Sequence, residues 1–404
     1  MNELSSLGII LLLALLAGHL VKFVRVPEVT GYILAGVALG PSVLGWVSQE
    51  NLVALEVLSE VALGLILFSI GSVFEYRLLV RYGLRILKLT MIESALATLF
   101  VVVGMLAFGQ SWQISFLLGA VAIATAPAST LMVLRECNAK GPLSDTLLGL
   151  IAVNNILCIV IYSLVAAAID LTSQWAGLSS ALTTAYQALF PLVWQLVGSV
   201  ALGYLVGLML AAWSTRVHET GEVLILLAGS ILLCVGVARI FELSPLVASL
   251  AVGATMVNLS SKSRPLFDTL SGTDPPFYAI FFVIAGADLD VRLVSEMGWL
   301  GVVYLVGRAG GKFIGARWGA QRLGMDEKVQ KYLGFALMAQ AGLAVGLTIV
   351  IDRRYPELAP VIETIVLSSV VLYEMVGPIS ARYAIVRAGE ATFSEEDKES
   401  IWAT

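Results

Sequence analysis

Apolar runs of about twenty residues, long enough to cross a bilayer as helix, recur from one end of this sequence to the other. In hydrocarbon every backbone N–H and C=O must be paired within the chain, so such a sequence becomes helices or a closed barrel. Continuous apolar runs without alternation select helices. The reading is an all-α polytopic membrane protein with thirteen transmembrane helices, at about 6–24, 28–46, 52–71, 84–107, 112–134, 143–169, 187–213, 221–240, 244–259, 269–287, 297–316, 331–351 and 359–381. With 58% hydrophobic and only 13% charged residues, a soluble globular domain and a disordered chain are both excluded. Met1-Asn2-Glu3 lacks the basic stretch of a signal peptide, so none is expected.

The 24 Lys and Arg residues test the span count. Eighteen fall on the side reached after the first span, and four (Arg239, Arg292, Arg353, Arg354) on the other; Arg308 and Lys312 lie inside a span. A missed span would scramble that asymmetry. The positive-inside rule then places the N-terminus outside and the C-terminus in the cytoplasm of a cell inner (plasma) membrane. One long polar connector, Leu171 to Tyr186, is expected outside, and 388–404 is expected as a short cytoplasmic tail.

A break is written into the fifth span. Pro127, in Ala124-Thr125-Ala126-Pro127-Ala128-Ser129, lacks an N–H and crowds the preceding turn. The freed backbone groups need partners, and Asn154-Asn155 in the following span bring amides to the same depth. Amides also clamp membrane helices together without transporting anything. At an offset of 215 residues Gly71 meets Gly286, Glu75 meets Asp290, Arg77 meets Arg292, and Gly119-to-Ser129 meets Gly334-to-Ala344. A slightly larger offset matches Pro27…Gly36 with Pro245…Gly253. Seven spans separate equivalent positions, so the halves would be two inverted-topology repeats with crossed broken helices. That predicts a second break at Met338-Ala339-Gln340-Ala341-Gly342.

Charge inside the membrane is rare and marks function. Glu93 and Arg308 occupy equivalent repeat positions, which predicts an ion pair beside the crossing, or Glu93 as proton carrier. Lys312, one turn on, is read as snorkelling to the cytoplasmic side. Glu363, Glu374 and Asp145 lie nearer span ends and are weaker candidates; Glu56 and Glu60 would face the outer mouth. His19 and His218 are isolated, and Cys137, Cys158 and Cys234 have no paired spacing. No metal-ligand cluster, phosphate loop or nucleophile constellation is visible, so neither an enzyme nor a resident cofactor is expected, and no nucleic acid partner.

The segments Gly18-His19-Leu20, Val26-Pro27-Glu28-Val29-Thr30-Gly31-Tyr32-Ile33-Leu34-Ala35-Gly36, Leu39-Gly40-Pro41-Ser42-Val43-Leu44-Gly45 and Leu67-Phe68-Ser69-Ile70-Gly71, with Phe281-Phe282 and Gly286, resemble the monovalent cation/proton antiporter superfamily. The likeness is to its second branch, which includes glutathione-gated potassium efflux proteins, and it covers essentially all the spans. The resemblance implies a homodimer with elevator-like alternating access. It implies a dimerisation scaffold, mainly 1–83 and 187–296, and a transport core, mainly 84–170 and 297–387. It also implies an ion site at Asn154 and Asn155 beside Thr125, to which the sequence reading adds Gln340 and Ser369 opposite, with the helix breaks at Pro127 and Gly342. Members of the family carry at least one aspartate where this chain has Asn154-Asn155. Two readings follow: an aspartate replaced by asparagine, or a chain that couples through another group such as Glu93 or carries out uncoupled or anion-linked movement favoured by Arg308 and helix N-termini. The function expected is a secondary transporter of sodium or potassium on a cation/proton antiporter scaffold, with Glu93 the proton carrier if protons are moved; the alternative is a transport-dead or channel-like sensor on the same scaffold.

Overall fold

The computed structural model describes residues 3–24, 26–71, 76–173, 178–217, 219–260, 267 and 275–392. Among them the chain is helical, without strands: α1 (Glu3–Phe23), α2 (Glu28–Leu39), α3 (Gln49–Gly71), α4 (Tyr76–Ala107), α5 (Trp112–Val121), α6 (Pro127–Glu136), α7 (Pro142–Ser173) and α8 (Leu178–Ser214). There follow α9 (Thr220–Ile240), α10 (Pro245–Leu259), α11 (Pro275–Ala287), α12 (Leu293–Glu296), α13 (Gly298–Arg322), α14 (Glu327–Ala336), α15 (Gly342–Arg354) and α16 (Ala359–Arg387). Seven helices among the described residues are long and apolar enough to cross a membrane, and four shorter ones are apolar. The protein is a multi-pass membrane protein.

Two compact units divide the chain: residues 1–15, 35–84 and 158–289, and residues 16–34, 85–157 and 290–404. In the first, Phe68, Leu210, Ile231, Cys234, Val252 and Met256 form a buried core between α3, α8, α9 and α10. Gly71 and Gly253 let α3 and α10 touch backbone to backbone, since a Cβ on Gly253 would lie 2.0 Å from the Phe68 carbonyl oxygen. Close approach through small residues is how membrane helices gain packing energy without a hydrophobic drive. Arg239 there pairs with Glu56 and Glu60.

In the second unit the helices are placed by α16. Along its length Ser368 donates to the Leu293 carbonyl, Tyr373 to Leu305 and Ser380 to Phe335. α13 reaches α4 through glycine: a Cβ on Gly311 would fall 2.6 Å from the Ala97 Cα, and one on Gly315 2.7 Å from the Glu93 Cα. That approach brings the long cationic side chains of α13 onto the face of α4 that carries Glu93.

Two stretches read from sequence as a polar connector and a tail carry ordered structure. The connector Leu171 to Tyr186 is mostly helix, because α7 runs on to Ser173 and α8 begins at Leu178. Its Ser, Thr, Ala and Gln residues carry no strong helix penalty, and polarity alone does not end a helix. The start of the tail is not free. Gly389 ends α16 in a left-handed turn (φ +68°), and Glu390, 3% exposed, caps the first turn of α7. Its carboxylate accepts from the Leu143 and Ser144 amides and the Ser144 hydroxyl, each at 2.8 Å. Arg25, Glu75, His218 and residues 393–404, all used in the sequence reading, lie outside the described residues.

Candidate ion site

Pro127 sets the first break. The residue before a proline is pushed out of the helical region, and Ala126 is extended (φ −69°, ψ 116°) with Pro127 opening α6. Helix α5 stops at Val121, and residues 124–126 carry no helical structure. The second break has no proline. Helix α14 stops at Ala336, residues 338–341 are non-helical, and α15 opens at Gly342. The two breaks touch: the Ala126 N–H donates to the Ala339 carbonyl at 3.1 Å.

Each break frees carbonyls at the C-terminal end of a half-helix, where the helix dipole favours positive charge. Arg308, fully buried, answers four of them. Its Nε donates to Ala122 at 3.2 Å, one terminal nitrogen to Met338 at 2.8 Å, and the other to Ala124 at 2.8 Å and Ala339 at 3.2 Å. A planar fork of donors on one rigid group suits converging acceptors. The guanidinium lies 4.2 Å from the centroid of the Tyr373 ring. Gln340, also fully buried, donates to the Val121 carbonyl at 3.2 Å and to the Tyr304 hydroxyl at 2.9 Å. Arg308 and Gln340 thus staple the two breaks.

Lys312 fills the crossing itself. Its ammonium donates to the Glu93 carboxylate at 2.7 Å, the Ile123 carbonyl at 2.9 Å and the Thr125 hydroxyl at 3.0 Å. Both Lys312 and Glu93 have 0% side-chain exposure. The expected Glu93–Arg308 ion pair is therefore not formed: Glu93 pairs with Lys312, and Arg308 binds backbone oxygens instead. Nor does Lys312 snorkel. Its stem is short of any aqueous surface once Gly311 and Gly315 seat α13 against α4, so the nearest anion is Glu93.

The two asparagines close the ring. Asn154 accepts from Ser94 at 2.8 Å and donates to the Thr125 hydroxyl at 3.3 Å; Ser94 also reaches Glu93 at 3.2 Å. Asn155, partly exposed, accepts from the Thr125 amide at 3.3 Å. Asn154, Asn155, Thr125 and Glu93 are thus gathered with Lys312, which sequence reasoning set aside. Ser369 is buried, but its hydroxyl donates to Ile365 on its own helix at 2.6 Å and serves that turn. Among the described residues no three His, Cys, Asp or Glu side chains group as a transition-metal site. The arrangement is an oxygen cage (carboxylate, carbonyl, hydroxyl) around one positive charge, which is the donor chemistry a hard monovalent cation takes.

The transmembrane model of the sodium/hydrogen exchanger family matches residues 8–379. The chain belongs to that family. This exchanger is 24% identical over 344 residues to the ammonium/H(+) antiporter subunit AmhT of Alkalihalophilus pseudofirmus, with 85% of each chain covered. It is 24% identical over 349 residues to the Na(+)/H(+)-K(+) antiporter GerN of Bacillus cereus, covering 84% of this chain and 85% of the relative. Its fold matches the sodium proton antiporter MjNhaP1 of Methanocaldococcus jannaschii with a TM-score of 0.72, at 16% identity, over 99% of this chain and 95% of the other. Membership of that family makes the protein a monovalent cation transporter of the antiporter class.

Proposed function

We propose that the protein exchanges a monovalent cation for a proton at the cage around Lys312, with Lys312 as a tethered stand-in for the transported ion. The observation that carries this is the buried ammonium held by Glu93, Ile123 and Thr125 where the two broken helices meet. A free cation entering beside Thr125 and the partly exposed Asn155 competes for the same three oxygens. Once Lys312 is displaced, Glu93 supplies the charge, and Thr125, the Ile123 carbonyl, Asn154 and Asn155 supply neutral donors. An Asn-Asn pair then needs no acid of its own, because the carboxylate comes from α4. Sodium and potassium are the cations first expected. Ammonium joins them, because the cage already holds an alkylammonium and AmhT is named an ammonium antiporter.

In this reading the second unit, which carries every residue of the cage, is the moving core, and the first is the scaffold of a homodimer, with elevator-like alternating access. Helices α5 and α14 begin 215 residues apart, at Trp112 and Glu327, and so do α6 and α15, at Pro127 and Gly342. That spacing supports two repeats, and the Lys and Arg asymmetry of the sequence supports thirteen spans, hence inverted repeats, with the N-terminus outside the inner membrane and the C-terminus in the cytoplasm. The test is uptake of labelled sodium, rubidium (for potassium) or methylammonium into proteoliposomes under an imposed pH gradient. Saturable uptake that collapses with the gradient supports exchange. A folded protein that moves none of them is a sensor, and the proposal fails.

A further inference from the structure

The cage leaves a question that the exchange reading, on which this inference rests, does not answer: which group carries the proton. Glu93 already has the Lys312 ammonium against it. Among the described residues, Glu374 on α16 is the other buried carboxyl of the second unit near the crossing. It is 6% exposed, and its Oε1 has no hydrogen-bond partner. One turn on, Gly377 lies against the second break, where a Cβ in its place would fall 2.6 Å from the Ala339 Cα. Its neighbour Tyr373 lies under Arg308, and Arg308 is the charged group whose field reaches Glu374. The guanidinium is nevertheless committed to the Ala122, Ala124, Met338 and Ala339 carbonyls. Glu374 thus has a positive charge close by and no donor of its own. The Gln340 Oε1, next along the break from Ala339, is a second buried acceptor without a partner. Buried polar atoms in native folds are nearly always paired, and each exception needs a reason. A proton that comes and goes is such a reason, and charge inside the membrane is seldom kept without one.

We propose that Glu374 is the proton carrier of this exchanger. Its carboxylate takes a proton from water on one face, forming an O–H bond. It returns that proton to water on the other face as a cation enters the cage. No redox step or further reactant is involved. Charge is conserved locally. With the proton on Glu374 and the cage free of a solute cation, Arg308, Lys312 and Glu93 leave one net positive charge. With the proton gone and one monovalent cation bound, the sum is again one. A constant charge keeps the desolvation cost of the two carried states alike, so neither becomes a trap.

The experiment compares wild type, Glu374→Gln and Glu374→Asp in the full-length protein reconstituted in liposomes. Two fluxes are read with labelled sodium and rubidium: exchange of cation for cation without a pH gradient, and uptake driven by a pH gradient. Glu374→Gln is expected to keep the first and lose the second to the level of protein-free vesicles, with Glu374→Asp regaining gradient-driven uptake on a displaced pH profile. Proton-driven uptake by Glu374→Gln at the wild-type rate overturns the proposal. So does a folded Gln variant that loses both fluxes and is rescued in neither by Asp, because that outcome makes Glu374 structural. Difference infrared spectroscopy on cation addition reads the carboxyl directly. A protonated-carboxyl band that is lost on cation binding in wild type and missing from Glu374→Gln supports the assignment; an identical band in both overturns it. Wild type without any cation flux defeats the exchange reading, while the infrared band still decides whether Glu374 holds a proton.

Discussion

Replacing Lys312 with methionine keeps the length of the side chain and removes its charge. Three oxygens lose the ammonium: Glu93 keeps Ser94, the Ile123 carbonyl keeps the Thr125 hydroxyl at 3.4 Å, and the Thr125 hydroxyl keeps Asn154. Breaking a buried ion pair from one side destabilises by about 3–5 kcal/mol, and the hydrogen bond lost at the Ile123 carbonyl adds about 1 kcal/mol. The Glu93 carboxylate would keep only Ser94, whose one hydroxyl proton is shared with Asn154. Glu93→Gln is milder, since Lys312 retains Ile123 and Thr125 as acceptors. The expected order of stability is wild type, then Glu93→Gln, then Lys312→Met, with the double variant recovering part of the loss because no unpaired charge remains. A solute cation should do the same for Lys312→Met by occupying the vacated cage. At a hundred times its dissociation constant it returns about 2.7 kcal/mol. The assay is the folded fraction after heating in detergent, read by size-exclusion chromatography, in sodium, potassium or ammonium chloride against choline chloride at equal ionic strength. The reasoning is refuted if Lys312→Met survives heating in choline as well as wild type does. It is refuted equally if none of the three small cations protects that variant better than choline.

Gly311→Val would place a Cβ 2.6 Å from the Ala97 Cα. Overpacking at a backbone contact costs about 1–3 kcal/mol, and crosslinking of cysteines on α4 and α13 should report the helices moving apart as transport is lost. Glu136, where α6 ends, sits beyond the expected span. It accepts from the Glu28 amide at 2.9 Å and pairs with Arg382 at 3.4 Å, while burial pushes its carboxyl up from 4.5 to about 7. A carboxyl whose folded value is raised binds more protons folded than unfolded between those values. Stability should therefore fall as pH rises from about 4.5 to about 7, then level off. In Glu136→Gln that slope should be missing from thermal unfolding across the range; an unchanged slope refutes the assignment. Glu390→Ala removes three bonds at the start of α7. The loss expected is about 2 kcal/mol, the upper end for a helix cap, and proteolysis of the loop between α6 and α7 should quicken.

Much of the second unit was legible because its constraints are local. Pro127 cannot continue a helix, and Asn154, Asn155 and Thr125 meet because the turn between α6 and α7 returns the chain to the same depth. The place of Lys312 is not legible from depth along a span, which is only one of the variables that decide it. A lysine's reach to water depends on which neighbour covers its helix, and Gly311, Gly315 and Gly319 were the sign that a neighbour presses closely there. Arg308 was recognised as buried, yet paired with the wrong group, since repeat symmetry equates positions and says nothing of which acceptors a break releases. The role of Glu390 rests on a contact with residues about 246 positions away, and neither periodicity nor motif carries such information.

The exchange centre is tested most directly by cation-driven proton movement in proteoliposomes carrying wild type or Glu93→Gln, each shown to be folded. Wild type should release a pH-gradient signal on addition of sodium, potassium or ammonium, and Glu93→Gln should give none, because the cage then has no carboxylate to hold the ion once Lys312 withdraws. Equal signals from the two proteins would contradict the account.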